Sequence, residues 1–416
     1  TIVICGGNPL SGEVTISGAK NAALPIMAAT LLTPETHTLS GVPHVADLRT
    51  MQKLIRAIGS QIEERDGVLS ICTPTVNHCE AAYEWVKTMR ASILLLGPLL
   101  ARCREAHVSL PGGCAIGARP IDLHLAGLAK MGAEIQVEHG MIHAKANRLI
   151  GTTIAFEKTT VTGTENLMMA ATLAEGTTIL THAAEEPEVA DLANFLNRCG
   201  ARITGHGTDR IVIEGVTALS GTAYSIIPDR IETGTFMVAA AITRGDLTLQ
   251  NCRPNHMTSL IRALKKTGAI ITTESQSIRV RGVNLLATDI VTGAYPEFPT
   301  DMQAQMMALM TVATGLSKMS ETNFESRFNH AAELRRMGAR IYVEGHHAVI
   351  EGVPFLSGAP VMASDLRASS SLILAGLVAQ GNTEISRVYH LDRGYEQIEE
   401  KLSNVGAKIT RFKHAA

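Results

Sequence analysis

The chain has 416 residues, of which 45% are hydrophobic and 18% are charged, and its formal net charge is -2. That length allows two or three domains with a large core, while the small net charge and the 4% of aromatic residues give no basis for nucleic-acid binding. The longest apolar run, 91–101, is interrupted by Gly97-Pro98 and is too short to cross a membrane.

The seven cysteines are scattered along the chain and odd in number. This usage is typical of a reducing cytoplasm rather than of a disulfide framework. The first residues, TIVICGG, lack both the basic segment and the long apolar segment of a signal peptide. We therefore expect a cytoplasmic protein.

One pattern recurs six times: an apolar helix ends at a Gly-Ala or Gly-Ser step and runs directly into an alternating strand. The copies are LIRAIGSQI (54–62), LAKMGAEI (128–135), LNRCGARI (196–203), LKKTGAII (264–271), LRRMGARI (334–341) and LSNVGAKI (402–409). Their glycines are Gly59, Gly132, Gly200, Gly268, Gly338 and Gly406. Because glycine readily adopts the left-handed conformation, we expect each one to end its helix. A repeat of this period predicts six copies of one α/β unit.

Each copy also contains a segment that is apolar nearly all round and rich in small residues, which is the pattern of a buried helix. These segments are 22–32, 91–101, 167–174, 235–243, 302–313 and 370–379. We predict an α/β (α+β) fold in which the buried helices are surrounded by sheets and amphipathic helices. The methionines of 302–310 are then core residues.

The sixth copy lacks the second strand of its hairpin, and the beginning of the chain supplies a match. IVICGGNPLSG (2–12) resembles IVIEGVTALSG (211–221) and AVIEGVPFLSG (348–358), which are second strands of other copies. We therefore expect the N-terminal strand to complete the last copy.

This completion predicts two domains of three copies each. The first would hold 20–227, and the second 1–19 together with 228–416. The chain would then cross between them twice, near Lys20 and near Pro228. A single elongated solenoid is the alternative arrangement.

Charged and polar residues stand at the starts of the buried helices. They are Lys20-Asn21, Arg90, Lys158 with Thr164, Asp229-Arg230, Asp301, and Asp365 with Arg367. Helix N-termini attract anions, so we expect these starts to face the space between the domains and to bind a ligand that carries phosphate and carboxylate groups. The alternative is that each residue is only a helix cap or a solvated loop residue.

The segment LPGGCAIGARP (110–120) is the clearest interruption of the repeat. Its glycines make it flexible, Cys114 stands at its centre, and Arg119 is placed to lower the pKa of the thiol. An inert buried cysteine is the alternative. The chain has no Walker loop and no GxGxxG after a strand, and its histidines lack the spacing of metal ligands. We expect no metal and no cofactor.

Seven segments carry a resemblance that covers the whole chain. They are ISGAKNAALP (16–25), VKTMRAS (86–92), LPGGCAIGARPIDLH (110–124), PDRIETGTF (228–236), FPTDMQAQ (298–305), DLRAS (365–369) and YHLDRGYE (389–396). Together they resemble the UDP-N-acetylglucosamine enolpyruvyl transferase family. The resemblance implies the two-domain enolpyruvyl transferase fold of three plus three repeats. It also implies transfer of enolpyruvate from phosphoenolpyruvate to the 3′-hydroxyl of UDP-N-acetylglucosamine, with release of phosphate, in the first committed step of peptidoglycan synthesis.

The resemblance further implies roles for individual residues. Cys114 would donate the proton to phosphoenolpyruvate and is able to add to it covalently, and Asp301 would be the base at the sugar hydroxyl. The residues implied for phosphoenolpyruvate binding are Lys20, Asn21, Arg119, Arg367 and Arg393, with Lys20 and Arg393 counted as catalytic. The reaction would pass through a tetrahedral ketal, and binding of the UDP-sugar would close the domains.

A larger set is implied for the UDP-sugar. It consists of Asn21, Arg90, Arg119, Pro120, Ile121, Asp122, Leu123, Lys158, Thr160, Val161, Asp301 and Asn323. The residues implied as cleft-lining are Arg230, Arg327 and Asp365. Asn323 stands where relatives often carry an aliphatic residue, so its contact is expected through the backbone, and the segment 158–166 varies among relatives.

Two other functions stay open. A sister enzyme that transfers enolpyruvate to shikimate 3-phosphate would carry a Ser-Lys-Ser element where this chain has GAKNA (18–22), and it would lack the PGGCAIG segment. A non-catalytic repeat protein that binds a nucleotide or a partner is the alternative of another class. The set of acid, base and cations argues against it.

Overall fold

The structure is a computed structural model that describes residues 1–81, 89–110, 121–324 and 326–412. The described chain divides into two compact units. Unit 1 consists of 1–17 and 228–412, and unit 2 of 18–81, 89–110 and 121–227. Within these ranges, no helix combines the length and the apolar character that a membrane span requires.

Two kinds of helix alternate along the described chain. In unit 2 they are α1 (Lys20–Ala29), α2 (Ala46–Ile58), α3 (Leu96–Cys103), α4 (Asp122–Lys130), α5 (Val161–Ala171) and α6 (Pro187–Arg198). In unit 1 they are α7 (Arg230–Ile242), α8 (Thr258–Lys266), α9 (Gln303–Met310), α10 (His330–Arg336), α11 (Leu366–Val378) and α12 (Ile398–Asn404). The odd-numbered helices are mostly buried and the even-numbered ones bury one face, which confirms the predicted pairing of helix types.

The six repeat glycines end the even-numbered helices, as predicted. Each has a positive φ, between 91° and 133°, a region that side chains with a Cβ atom rarely adopt. The conformation lets the chain reverse directly into the following strand.

The strands of the described residues form six four-stranded sheets. The strands of unit 2 are β3 (Thr36–Ser40), β4 (Gln61–Arg65), β5 (Val68–Cys72), β6 (Glu80–Ala81), β7 (Glu105–Ser109), β8 (Glu134–Glu138), β9 (Met141–Lys145), β10 (Thr153–Ala155), β11 (Thr177–Thr181), β12 (Arg202–Thr204), β13 (Arg210–Glu214) and β14 (Ala223–Ser225). Those of unit 1 are β1 (Ile2–Cys5), β2 (Ser11–Thr15), β15 (Asp246–Gln250), β16 (Ile270–Thr273), β17 (Ser277–Arg281), β18 (Ile290–Val291), β19 (Leu316–Ser320), β20 (Arg340–Glu344), β21 (His347–Glu351), β22 (Pro360–Met362), β23 (Asn382–Ser386) and β24 (Lys408–Arg411).

Every sheet has the same internal pairing. An edge strand runs parallel to the strand that follows a buried helix, and that strand pairs antiparallel with the second strand of a hairpin. The first strand of the hairpin pairs with the second and forms the other edge of the sheet. In the sheet β22-β23-β1-β24, β1 lies antiparallel to both β23 and β24, with Ile4 opposite Thr383 and Ile409. The N-terminal strand therefore completes the sixth copy, as predicted, and the α/β fold of six repeats is confirmed.

Each unit has its own hydrophobic core. The core of unit 1 includes Phe236 and the methionines of α9, and the core of unit 2 includes Phe156 and Phe195. Met306, Met307 and Met310 are fully buried, which confirms that this methionine-rich segment is core.

Candidate functional site

Three of the predicted site residues, Cys114, Arg119 and Pro120, lie outside the described residues, so their roles stay predictions. Arg90 begins a 3-10 helix, Arg90–Leu95, that leads into α3. The other predicted residues are described below, unit by unit.

In unit 2, Lys20 forms a buried ion pair. Lys20 is the first residue of α1, and its Nζ lies 2.9 Å from Oδ2 of Asp47 in the first turn of α2. The side chains are only 11% and 7% exposed. Asn21 follows Lys20 in the first turn and is half-buried. Asp47 was not predicted, because nothing in its sequence context links it to a lysine one helix earlier.

A second polar cluster in unit 2 joins the starts of α4 and α5. Ile121 precedes α4, which begins with Asp122 and Leu123, while Thr160 accepts a hydrogen bond from Gly163 N at 3.2 Å and so caps α5. Val161 begins α5, and Lys158 is exposed just before it. The structure thus places these predicted residues at neighbouring helix starts.

His124 connects these two helix starts. Its Nδ1 lies 3.0 Å from Asn166 Nδ2 and its Nε2 lies 3.2 Å from Thr162 Oγ1. Because the amide nitrogen can only donate, Nδ1 accepts, and Nε2 carries the proton that is donated to Thr162. Burial lowers the pKa of His124 to about 4, so the ring is neutral at pH 7. His124 was missed in the sequence, although its position directly after Leu123 was a signal.

In unit 1, one carboxylate joins two arginines. Asp301 Oδ1 accepts a hydrogen bond from Arg327 Nη2 at 2.6 Å, and its Oδ2 accepts one from Arg367 Nη2 at 3.0 Å. The arginine side chains are 3% and 9% exposed, whereas Asp301 is 29% exposed. The group therefore carries two positive charges and one negative charge, which leaves a net attraction for an anion.

The charge of Arg367 is stabilised by its surroundings. Burial acts to lower its pKa, but the charges of Asp301, Tyr395 and Asp229 and the hydrogen bond to Asp301 raise the pKa above its ordinary value overall. Asp301 lies just before α9, Arg367 at the start of α11 and Asp229 at the start of α7. Charged residues at the starts of these three helices of unit 1 therefore lie close enough to act on one another. That the helix starts face the space between the domains stays a prediction.

Two of the predicted acids are helix caps. Asp365 Oδ1 accepts from the backbone N–H groups of Arg367 and Ala368 at 2.9 and 3.0 Å. Asp229 Oδ1 accepts from Ile231 N and Glu232 N at 2.7 and 3.0 Å. Both residues therefore cap their helices, and their oxygens hold the helix starts that carry the arginines. The role of Asp365 as a cleft-lining residue stays a prediction.

The remaining predicted residues of unit 1 are Arg230, Arg393 and Asn323. The Arg230 guanidinium lies 5.6 Å from the centre of the Tyr295 ring. Arg393 is half-buried and ends the 3-10 helix Val388–Arg393, two residues before Tyr395. The backbone N–H of Asn323 donates to Glu321 Oε1 at 2.9 Å, so a backbone contact from Asn323 to a ligand has to come from its carbonyl.

His330 lies beside the arginine group and was also missed. It is the first residue of α10 and is fully buried. Burial lowers its pKa to about 4, helped by the charge of Arg327, while Asp365 acts in the opposite direction. Across the described ranges, no group of three or more His, Cys, Asp and Glu side chains is arranged to hold a metal ion.

This geometry favours chemistry on an anionic substrate. Buried guanidinium groups provide charge-assisted hydrogen bonds to phosphate or carboxylate, and the partly exposed carboxylate of Asp301 is accessible to a proton donor.

Comparison with known proteins gives a consistent result along the whole chain. The family model described as EPSP synthase (3-phosphoshikimate 1-carboxyvinyltransferase) matches residues 4–402. The chain is 56% identical to UDP-N-acetylglucosamine 1-carboxyvinyltransferase of Desulfosudis oleivorans, over 99% of each chain. It is 57% identical, again over 99% of each chain, to the protein of the same name from Thermodesulfovibrio yellowstonii.

Solved structures are similar in fold. The enolpyruvyl transferase NikO from Streptomyces tendae superimposes with a TM-score of 0.89 at 24% identity, over 98% of each chain. EPSP synthase from Acinetobacter baumannii superimposes with a TM-score of 0.77 at 20% identity, over 99% of each chain. The predicted enolpyruvyl transferase fold is therefore confirmed.

Proposed function

The chain belongs to the UDP-N-acetylglucosamine 1-carboxyvinyltransferase family, and we propose that it transfers enolpyruvate from phosphoenolpyruvate to the 3′-hydroxyl of UDP-N-acetylglucosamine. Phosphate is released, and the product enters peptidoglycan synthesis in the cytoplasm. Identity of 55–57% to relatives of this name supports this acceptor over shikimate 3-phosphate. The structural observation that carries the proposal is the carboxylate of Asp301 between the guanidinium groups of Arg327 and Arg367.

The reaction requires two proton movements. C3 of phosphoenolpyruvate gains a proton, which makes C2 electrophilic, and the sugar hydroxyl loses its proton as its oxygen bonds to C2. The tetrahedral ketal then loses the C3 proton again, and the bond between C2 and the phosphate oxygen breaks. The enol ether and inorganic phosphate are the products, so no redox change occurs.

Asp301 fits the role of base at the hydroxyl. Its carboxylate is 29% exposed and held by two arginines, so that an oxygen is accessible to accept a hydrogen bond from the sugar. Cys114 is the proposed donor to C3. Its segment is the one that interrupts the repeat.

The cationic residues fit the anionic groups of phosphoenolpyruvate. We assign Lys20, Arg119 and Arg393 to its phosphate and carboxylate, with Arg367 beside them and Asn21 contributing an amide. Lys20 is held by Asp47, so its ammonium group has a fixed position in unit 2. Fixed charges stabilise developing charge without reorganising during the reaction.

The UDP-sugar is assigned to the helix starts of unit 2. Ile121, Asp122 and Leu123 precede or begin α4, and Thr160 and Val161 begin α5, so backbone N–H groups at both starts are suited to a diphosphate. The neutral ring of His124 keeps the two starts together. The two units act as the two domains of the family, and we propose that they close when the UDP-sugar binds.

One assay tests the proposal: release of phosphate from phosphoenolpyruvate in the presence of UDP-N-acetylglucosamine, of shikimate 3-phosphate, or of neither. We expect release only with the UDP-sugar. Release with shikimate 3-phosphate alone would assign the sister reaction, and no release with any acceptor would indicate a binding protein.

A further inference from the structure

Arg367 has more hydrogen-bond donors than partners. It is buried, with 7% of its surface exposed, and a guanidinium has five N–H groups. Within the described residues its Nη2 donates to Asp301 Oδ2 at 3.0 Å, and its Nη1 donates to the hydroxyl of Tyr395 at 3.4 Å. The remaining N–H groups are available to an anion. The direction in which these N–H groups point depends on the orientation of the planar guanidinium.

The hydroxyl of Tyr395 is held by two other side chains. It lies 2.8 Å from Thr235 Oγ1 and accepts from Gln305 Nε2 at 3.4 Å. Thr235 is on α7 and Gln305 is on α9, while Arg367 is on α11. One buried hydroxyl group therefore connects the three buried helices of unit 1.

The direction of two of these hydrogen bonds follows from the chemistry of the donors. Thr235 has a single hydroxyl proton, and its Oγ1 also lies 2.8 Å from the carbonyl oxygen of Ile231. In the bond between Thr235 and Tyr395, either hydroxyl can be the donor. In both cases Tyr395 accepts from Arg367 and Gln305, because the nitrogen atoms of these side chains can only donate. The Tyr395 hydroxyl is in this way fixed as an acceptor for the guanidinium.

The ring of Tyr395 adds a second contact. The central carbon of the Arg367 guanidinium lies 5.9 Å from the ring centre, and Tyr395 is only 3% exposed. With Asp301 at one nitrogen and Tyr395 at the other, the guanidinium is held at two points. Loss of the Tyr395 hydroxyl would leave it free to turn about its bond to Asp301.

We propose that Tyr395 is a positioning residue for Arg367: its hydroxyl orients the guanidinium so that the remaining N–H groups face the phosphate or carboxylate of phosphoenolpyruvate. This inference rests on the proposed function. Tyr395 would then affect the binding of phosphoenolpyruvate through Arg367, and it would not affect the binding of the UDP-sugar.

Tyr395→Phe tests the inference because it removes only the hydroxyl oxygen. We expect KM for phosphoenolpyruvate to rise about tenfold, the effect of losing one hydrogen bond to a charged group, with KM for UDP-N-acetylglucosamine unchanged. Calorimetric titration of the full chain with inorganic phosphate should show affinity weakened by a similar factor. Tyr342→Phe, at a position 69% exposed on β20, is the matched control and should leave all three values unchanged.

A second variant guards against a folding defect. Thr235→Val removes a hydrogen-bond partner of the Tyr395 hydroxyl and should weaken phosphate binding in the wild-type background, but have no further effect when combined with Tyr395→Phe. The inference would be overturned if the effects of Thr235→Val and Tyr395→Phe on phosphate affinity were additive. It would also be overturned if Tyr395→Phe kept the wild-type KM for phosphoenolpyruvate and the wild-type phosphate affinity, or if it changed the KM values of both substrates equally. If the wild-type chain releases no phosphate with any acceptor, the proposed function fails, and the phosphate titrations alone then decide the role of Tyr395.

Discussion

Lys20 and Asp47 form an ion pair that is almost excluded from solvent, with Nζ 2.9 Å from Oδ2. We predict that Asp47→Asn destabilises the protein by about 3 to 5 kcal/mol, because it removes the carboxylate charge 2.9 Å from a buried ammonium group. Activity should fall as well, since the ammonium of Lys20 loses its fixed position. Denaturant unfolding and phosphate release measure the two effects.

The double variant Lys20→Met/Asp47→Leu separates the two roles. It replaces the pair by apolar side chains, so most of the lost free energy of unfolding should return. Activity should stay absent because the cation is gone. An active double variant would show that Lys20 has only a structural role.

Asp301 provides the second prediction. Asp301→Asn keeps the shape of the side chain and removes the charge between Arg327 and Arg367, so we expect kcat to fall by about 10² or more, the usual loss when a catalytic base is removed. The control is Asp246→Asn on β15. Asp246 also lies near two arginines, 2.7 Å from Arg279 and 3.7 Å from Arg281, but on an exposed surface.

An exposed ion pair contributes little to stability, so the control should unfold within about 1 kcal/mol of the wild type and keep its activity. Equal losses of activity in Asp301→Asn and Asp246→Asn would contradict the assignment of Asp301.

The backbone of this protein could be predicted from its sequence because the repeat determines it. Gly59 and its five counterparts mark the helix ends, and the match between 2–12 and 211–221 identifies β1 as the partner of β24. Both signals are local, so they can be read one segment at a time.

The side-chain pairs of the site could not be predicted in the same way. Asp301 was singled out by its helix start, but its contact with Arg367 depends on how α9 and α11 pack and on the side-chain rotamers. Asp47 and His124 carried no motif of their own. The roles of Asp229 and Asp365 as caps also had no separate signal, because an acid at a helix start is suited both to capping and to a site.

Glu232 should make stability depend on pH. Burial raises its pKa to about 7, although Lys401 Nζ at 2.6 Å acts in the opposite direction. Since the folded-state pKa lies above the unfolded value of 4.5, the stabilisation is complete below pH 4.5 and is lost as the pH rises to about 7.

The comparison of wild type with Glu232→Gln measures this loss. The difference in their free energies of unfolding should change by about 3 kcal/mol between pH 4.5 and 7.5 and stay constant above that range. Ser17 donates its backbone N–H to Glu232 Oε2 at 2.7 Å, so the charge change occurs where the chain leaves unit 1. Glu344→Gln, at an exposed position on β20, should follow the wild type. A constant difference across the range would contradict the prediction.

His124 should also make stability depend on pH, but its contribution is lost as the pH falls. Its folded-state pKa of about 4 lies below the ordinary 6.5, so its contribution to stability is complete above pH 6.5 and is lost as the pH falls towards 4. We expect His124→Gln to be less stable than wild type at pH 7, because hydrogen bonds are lost. On acidification to pH 4, the free energy of unfolding of the variant should fall by about 3 kcal/mol less than that of the wild type. His346→Gln, at an exposed turn, is the control. Parallel pH profiles for wild type and His124→Gln would exclude this role.

Cys114 should be the reactive thiol of the chain. Burial raises the pKa of Cys103 and Cys199 to about 12 and that of Cys252 to about 11, so these three cysteines hold almost no thiolate at pH 8. We predict that an epoxide such as fosfomycin adds once per chain, as measured by intact mass, and that Cys114→Ser abolishes the addition. Cys5→Ser is the control, because Cys5 is exposed at the end of β1 and should have no part in the labelling. Labelling that persists in Cys114→Ser would mean that another thiol reacts, and the proton donor to phosphoenolpyruvate would then have to be sought elsewhere in the chain.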